Sequence, residues 1–129
     1  MRIHIETLGC RLNQSESDRI AREFAAIGHE VVSEPRLADL QIVNTCAVTH
    51  KATRESRQAA RAGQRAAPGA LTVVTGCASQ IDPEFFGNLE RPALVPGHAD
   101  KERLIPLLIE RGLVPPPDAT QSEVFPLSH

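Results

Sequence analysis

Three cysteines, Cys10, Cys46 and Cys77, are the side chains of this sequence with the widest chemical range, and each sits just past an apolar run. The runs are 2–8, 40–44 and 71–75, and each cysteine is read as opening a loop that leads towards a helical pattern. If the runs are parallel strands of one sheet, all three sulfurs emerge at its carboxyl edge, where open α/β folds place their ligands. Thiols 36 and 31 residues apart in sequence then meet at one point. Three thiolates at one point suit a metal or an iron–sulfur cluster. Such a cluster tolerates distant ligands, and three of them leave one iron of a four-iron cluster open to a small sulfur species or substrate.

The rival chemistries are weaker. A single cysteine is usually a small buried hydrophobe. Structural zinc usually shows close cysteine pairs, and no Cys-x-x-Cys occurs here; His50 and His98 are the candidate fourth ligands. A phosphatase loop needs Arg six residues after its cysteine, but Glu16, Ala52 and Pro83 stand there. His50 follows Cys46 by four, yet no acid partner completes a nucleophilic set. Neither a dinucleotide fingerprint nor a P-loop is present.

Elements able to position the cysteines alternate in the βαβα manner of a parallel sheet. The expected fold is α/β, an open, mostly parallel flavodoxin-like sheet of about five strands with helices on both faces. Residues 2–8 form the first strand. A helix over 14–27 follows, with Asn13 as N-cap, Glu16 completing a capping box, an inward stripe of Ile20, Phe24 and Ile27, and Gly28 as its stop. Residues 30–33 are a short second strand and 40–44 a third. A second helix over 49–66 carries Ala52, Ser56, Ala59, Gly63 and Ala66 on a face narrow enough to sit close to the sheet. Another face carries Lys51, Arg54, Arg57, Arg61 and Arg65. The run 71–75 is the most continuously apolar and is expected at the centre. Asp82-Pro83 starts a helix, 93–95 is a weak fifth strand, and 101–111 is a last helix in which Pro106 marks a kink or a later start. Pro115-Pro116-Pro117 opens a linker-like tail.

At 129 residues, with 41% hydrophobic and 23% charged residues, the chain is expected to be one soluble domain. A formal charge of −2 does not advertise nucleic acid, and four Phe with no Tyr or Trp argue against a base-stacking platform. No stretch is apolar enough to span a bilayer, and residues 1–10 carry Arg2, His4 and Glu6 where a signal peptide would be apolar. A cytoplasmic setting is expected, in which cysteines serve as ligands or reactive thiols rather than disulfides.

Three strings carry a resemblance. Thr7-Leu8-Gly9-Cys10-Arg11-Leu12-Asn13-Gln14-Ser15-Glu16-Ser17, Ile42-Val43-Asn44-Thr45-Cys46-Ala47-Val48-Thr49 and Val74-Thr75-Gly76-Cys77-Ala78-Ser79-Gln80 resemble, in order, three motifs of the radical-SAM methylthiotransferases. The likeness covers about residues 1–111, that family's amino-terminal domain. It implies that Cys10, Cys46 and Cys77 ligate one auxiliary [4Fe–4S] cluster, whose open iron holds the sulfur that becomes the methylthio group. Asn13 and Asn44 match positions close to the cluster and are given supporting roles. Arg11, the run Gln14-Ser15-Glu16-Ser17 and the string Ser56-Arg57-Gln58-Ala59-Ala60-Arg61 look most like the branch acting on threonylcarbamoyl-adenosine next to the tRNA anticodon. The Gln-Met of the isopentenyl-adenosine branch and the Pro-Lys of the ribosomal-protein aspartate branch are absent after Cys10. So is the family's Cys-x3-Cys-x2-Cys motif, which holds the second [4Fe–4S] cluster that cleaves S-adenosylmethionine. The expectation is therefore a cluster-binding domain at 1–112 and a linker at 113–129, inactive alone, with the radical-SAM and RNA-binding domains elsewhere and tRNA as partner. Arg54, Arg57, Arg61 and Arg65 are candidate tRNA phosphate contacts, or else a solvated helix face. The competing expectations are a methylthiotransferase domain for another substrate, isopentenyladenosine tRNA or a ribosomal-protein aspartate, and a non-catalytic zinc or scaffold module.

Overall fold

The computed structural model describes residues 1–9, 11–47, 49–89, 93–96 and 104–114. Its elements are β1 (Arg2–Thr7), α1 (Arg11–Ala26), β2 (Glu30–Val31), a 3-10 turn (Pro35–Leu37), β3 (Leu40–Thr45), α2 (His50–Ala66), β4 (Leu71–Gly76), α3 (Cys77–Ile81), α4 (Pro83–Gly87) and α5 (Leu104–Glu110). All strands pair in parallel, in the order β2-β1-β3-β4. Beyond β4, Leu94 bridges Val73 in parallel, donating its N–H to the Thr72 carbonyl and accepting from Val74. The expected fifth strand is thus a single bridge in the fifth position. This is the flavodoxin-like order, which reverses direction between β1 and β3.

Apolar residues alternate across the sheet to feed two cores. On one face Ile3, Leu40, Ile42 and Val73 meet Ile20 and Phe24 of α1 and Leu104, Ile105 and Leu108 of α5. On the other Val43 and Val74 meet Ala60 of α2, Ala78 of α3 and Phe86 of α4. Every residue of β3 is buried, and it, rather than β4, occupies the middle. Val114 is buried in the first core, which draws it into the domain rather than the tail. Pro106 is the third residue of α5, a first-turn position that Pro tolerates. Residues 115–129 lie outside the described residues.

Three local readings are corrected. Helix α1 begins at Arg11, so Asn13 is not its N-cap but a buried residue of its first turn. The buried face of α2 is Ser56, Ala60, Gly63 and Gln64, whereas Ala66 is exposed. Its N-cap is Thr49, whose hydroxyl accepts from the Ala52 N–H at 3.0 Å. Finally, Cys77 opens no loop. It is the first residue of α3, which Gly76 caps without a side chain.

Candidate cluster site at the carboxyl edge

The carboxyl ends of β1, β3 and β4 lie side by side, with the switch point between the first two. Cys10 itself lies outside the described residues, but Gly9 before it packs directly on Cys46. A Cβ at Gly9 would fall 2.5 Å from the Cys46 Sγ. The turn carrying the first motif therefore rests on the second cysteine.

A similar contact joins the second motif to the third. Gly76 has φ +97° and ψ −175°, a combination essentially confined to glycine. A Cβ there would collide with the Thr45 carbonyl oxygen and lie 2.6 Å from the Thr45 nitrogen and 2.8 Å from Asn44 Oδ1. The backbone leading into Cys77 is thus pressed against the backbone leading into Cys46. Glycine at both contacts lets the three motif segments approach more closely than side chains would allow.

Buried hydrogen bonds fix this edge. Asn13 Nδ2 donates to the Leu8 and Thr45 carbonyls, each at 2.9 Å, tying the start of α1 to the ends of β1 and β3. Asn44 Nδ2 donates to the Asn13 carbonyl at 3.1 Å and to Ser17 Oγ at 3.2 Å. Thr45 Oγ1 donates to the Thr75 carbonyl at 2.7 Å and accepts from the Ser79 N–H at 3.2 Å, coupling β3 to α3. Cys46 is 4% exposed. Its N–H donates to Ser56 Oγ, which in turn donates to the Cys46 carbonyl, both at 3.0 Å. The sequence offered weak signals for Ser17, Ser56 and Ser79: hydroxyls on faces that otherwise bury small or apolar groups.

Of the two described thiols, Cys46 is buried and Cys77 exposed. The donor set suits an iron–sulfur cluster: soft thiolates at the switch point, approached by side-chain-free backbone. Among the described residues, which leave out Cys10, no three His, Cys, Asp or Glu side chains gather as a metal site. His50 is exposed and lines a cavity with Ala47, Thr49, Thr53 and Ile81, while His98 lies outside the described residues.

The arginines of α2 do not act as one free face. Arg57 pairs with Asp82 at 3.2 Å, and the guanidinium carbons of Arg57 and Arg61 stand 4.9 and 5.0 Å from the centre of the Phe85 ring. These two pin α2 to α4. Arg54 and Arg65 are exposed. No described helix is long and apolar enough to cross a membrane.

Residues 2–95 match the model of a family described as "Uncharacterized protein family UPF0004". The threonylcarbamoyladenosine tRNA methylthiotransferase MtaB of Aquifex aeolicus is 41% identical over 110 residues, covering 85% of this chain and 27% of that protein. The protein of the same name from Chlamydia pneumoniae is 41% identical over 99 residues, covering 76% of this chain and 24% of its own. A tRNA-2-methylthio-N(6)-dimethylallyladenosine synthase of Solibacter usitatus is 31% identical over 112 residues, covering 83% and 24%. The chain spans about a quarter of the length of these curated relatives. The match over most of its length shows the family: the chain belongs to UPF0004.

Proposed function

We propose that this chain is the part of a tRNA methylthiotransferase that holds an auxiliary [4Fe–4S] cluster through Cys10, Cys46 and Cys77. The carrying observation is the pair of glycine contacts, which draws the Cys10 and Cys77 segments onto the segment ending in Cys46. When bound, the cluster would supply an iron without a protein ligand, open to the sulfur destined for C2 of an adenine. Asn13 and Asn44 act as positioning residues, holding the turns that carry the thiolates. The proposed substrate is N6-threonylcarbamoyladenosine 37 of tRNA, supported by the relatives of that name and by the residues around Cys10. S-adenosylmethionine, its own [4Fe–4S] cluster and further RNA contacts would belong to the remaining length of such a protein, working in the cytoplasm. Arg54, exposed on α2, is the more available phosphate contact, since Arg57 and Arg61 are engaged with Phe85.

Anaerobic reconstitution with iron and sulfide tests the proposal. The chain should take up about four irons with brown absorbance, as a cubane cluster requires. Each of Cys10→Ala, Cys46→Ala and Cys77→Ala should abolish it. Iron bound equally by the variants, or by neither this chain nor a longer protein containing it, would overturn the reading.

A further inference from the structure

Most of the string Ser56-Arg57-Gln58-Ala59-Ala60-Arg61 binds α2 to the rest of the domain. Arg57 pairs with Asp82, Arg57 and Arg61 stand over the Phe85 ring, and Ala60 lies in the core with Val43, Val74 and Phe86. Ser56 does something else. It is 0% exposed, and both of its hydrogen bonds go to one residue, Cys46.

Cys46 needs such a partner. It follows the last residue of β3, and among the described residues neither its N–H nor its C=O has a backbone partner. The residue is buried, and a buried peptide group left unpaired is costly. One serine hydroxyl answers both groups, because its oxygen accepts from the N–H while its proton goes to the C=O. The two bonds flank the Cα and so restrain both backbone torsions of Cys46. With these held, the direction in which Cβ and Sγ leave the chain is held too. Neither Asn13 nor Asn44 reaches this peptide, since their bonds end at Leu8, Asn13, Ser17 and Thr45.

The helix that carries the clamp is itself fixed. Arg57, next to Ser56, is tied to Asp82, the residue just past α3, which Cys77 opens. Helix α2 thus holds the Cys46 peptide through one residue and the far end of the Cys77 helix through its neighbour.

We propose that Ser56 is a positioning residue for the Cys46 thiolate, fixing through the Cys46 peptide where that sulfur stands when the three thiolates bind metal. The inference rests on the three-cysteine site proposed above and adds the residue that preorganises one of its ligands. Groups that orient a metal's ligands without touching the metal typically account for about 10–100-fold in affinity.

The test is titration of the reduced 129-residue chain with cadmium(II), a soft ion that reports bound thiolates by ultraviolet charge-transfer absorbance. Ser56→Ala should weaken binding about 10–100-fold. Ser56→Thr, which keeps the hydroxyl, should bind as the parent chain does. Ser56→Gly should behave as Ser56→Ala, because a water filling the gap would satisfy the peptide without tying it to α2. It carries the test if Ser56→Ala fails to fold. Thr72→Val removes another buried hydroxyl beneath α2, the one that accepts from Gln64, and should leave the affinity unchanged. In a Cys46→Ala background the effect of Ser56→Ala should vanish, which a general loosening of the fold would not produce. Affinity indifferent to Cys10→Ala, Cys46→Ala and Cys77→Ala would overturn the three-cysteine site and this inference with it. Affinity that needs the cysteines but is equal in Ser56→Ala would overturn this inference alone. So would a loss shared by Thr72→Val or by folded Ser56→Thr, or one that persists in the Cys46→Ala background.

Discussion

Gly76→Ala is the sharpest perturbation of the edge. A side chain there pays twice. The backbone conformation, φ +97° and ψ −175°, is essentially glycine-only, and holding a non-glycine residue in it costs about 1–3 kcal/mol. The new methyl also meets the Thr45 backbone, which belongs to the central strand and cannot step aside as a flexible side chain would. Overpacking of this kind adds about 1–3 kcal/mol. The sum, about 4 kcal/mol, is a large fraction of the roughly 5–15 kcal/mol that stabilises a domain. Gly28→Ala is the matched control: φ is +94°, but nothing lies within 4 Å of a Cβ, so only the conformational cost of about 1–3 kcal/mol applies. Urea unfolding followed by far-ultraviolet circular dichroism should therefore place Gly76→Ala about 2 kcal/mol or more below Gly28→Ala, with the slope unchanged. In thermal unfolding the two should differ by about 5–10 °C. Equal losses would refute the claim that close approach at β3 dictates this glycine.

Further outcomes follow from the same geometry. Asn13→Asp replaces a buried donor to two carbonyls with an acceptor of the same shape; it should destabilise more than Asn13→Ala, which itself should cost about 1–3 kcal/mol by urea titration. Arg57→Ala should lower stability by about 1 kcal/mol through the loss of Asp82 and Phe85, whereas Arg54→Ala should leave it unchanged. In a longer protein that binds tRNA, Arg54→Ala should instead reduce the salt dependence of binding by about one ion, read from affinity at several salt concentrations. His29 has its pKa lowered below 6.5 by burial and by the nearby amino terminus. The unfolded chain therefore takes up its proton first, so the stability tied to neutral His29 is fully present above pH 6.5 and is lost as pH falls through the lowered value. Thermal midpoints of the chain and of His29→Gln, compared from pH 8 to pH 5, should diverge in favour of the variant at the acid end.

The strands were legible because period-two alternation and the breaks at Gly28 and Pro68-Gly69 are local signals, and parallel pairing then brings their carboxyl ends together. Asn13 was misread for a physical reason. Asn with Glu three residues on is a true capping pattern, but two carbonyls, one just past β1 and one at the end of β3, 5 and 32 residues away in sequence, outcompete the cap for its amide. Which face of α2 meets the sheet was equally hidden. Small residues are spread around that helix, and Gln41 beneath Gly63 decides which of them face the sheet. Helix α3 has no capping side chain to announce it, because its N-cap is the glycine that β3 demands. In each case a distant contact overrode a sound local rule.

That the edge is anchored on β3 has a consequence for how long it keeps its shape. Proteins open in pieces, and hydrogen exchange ranks those pieces from fraying ends to cores that exchange only when the whole molecule unfolds. Strand β3 is buried at all six positions and paired on both sides. Its amides belong to the slowest class, and the Asn44, Thr45 and Cys46 positions at its end inherit that lifetime. Cys77, on a five-residue helix, can part from its neighbours in a local opening, whereas Cys46 keeps its place until the fold itself is lost.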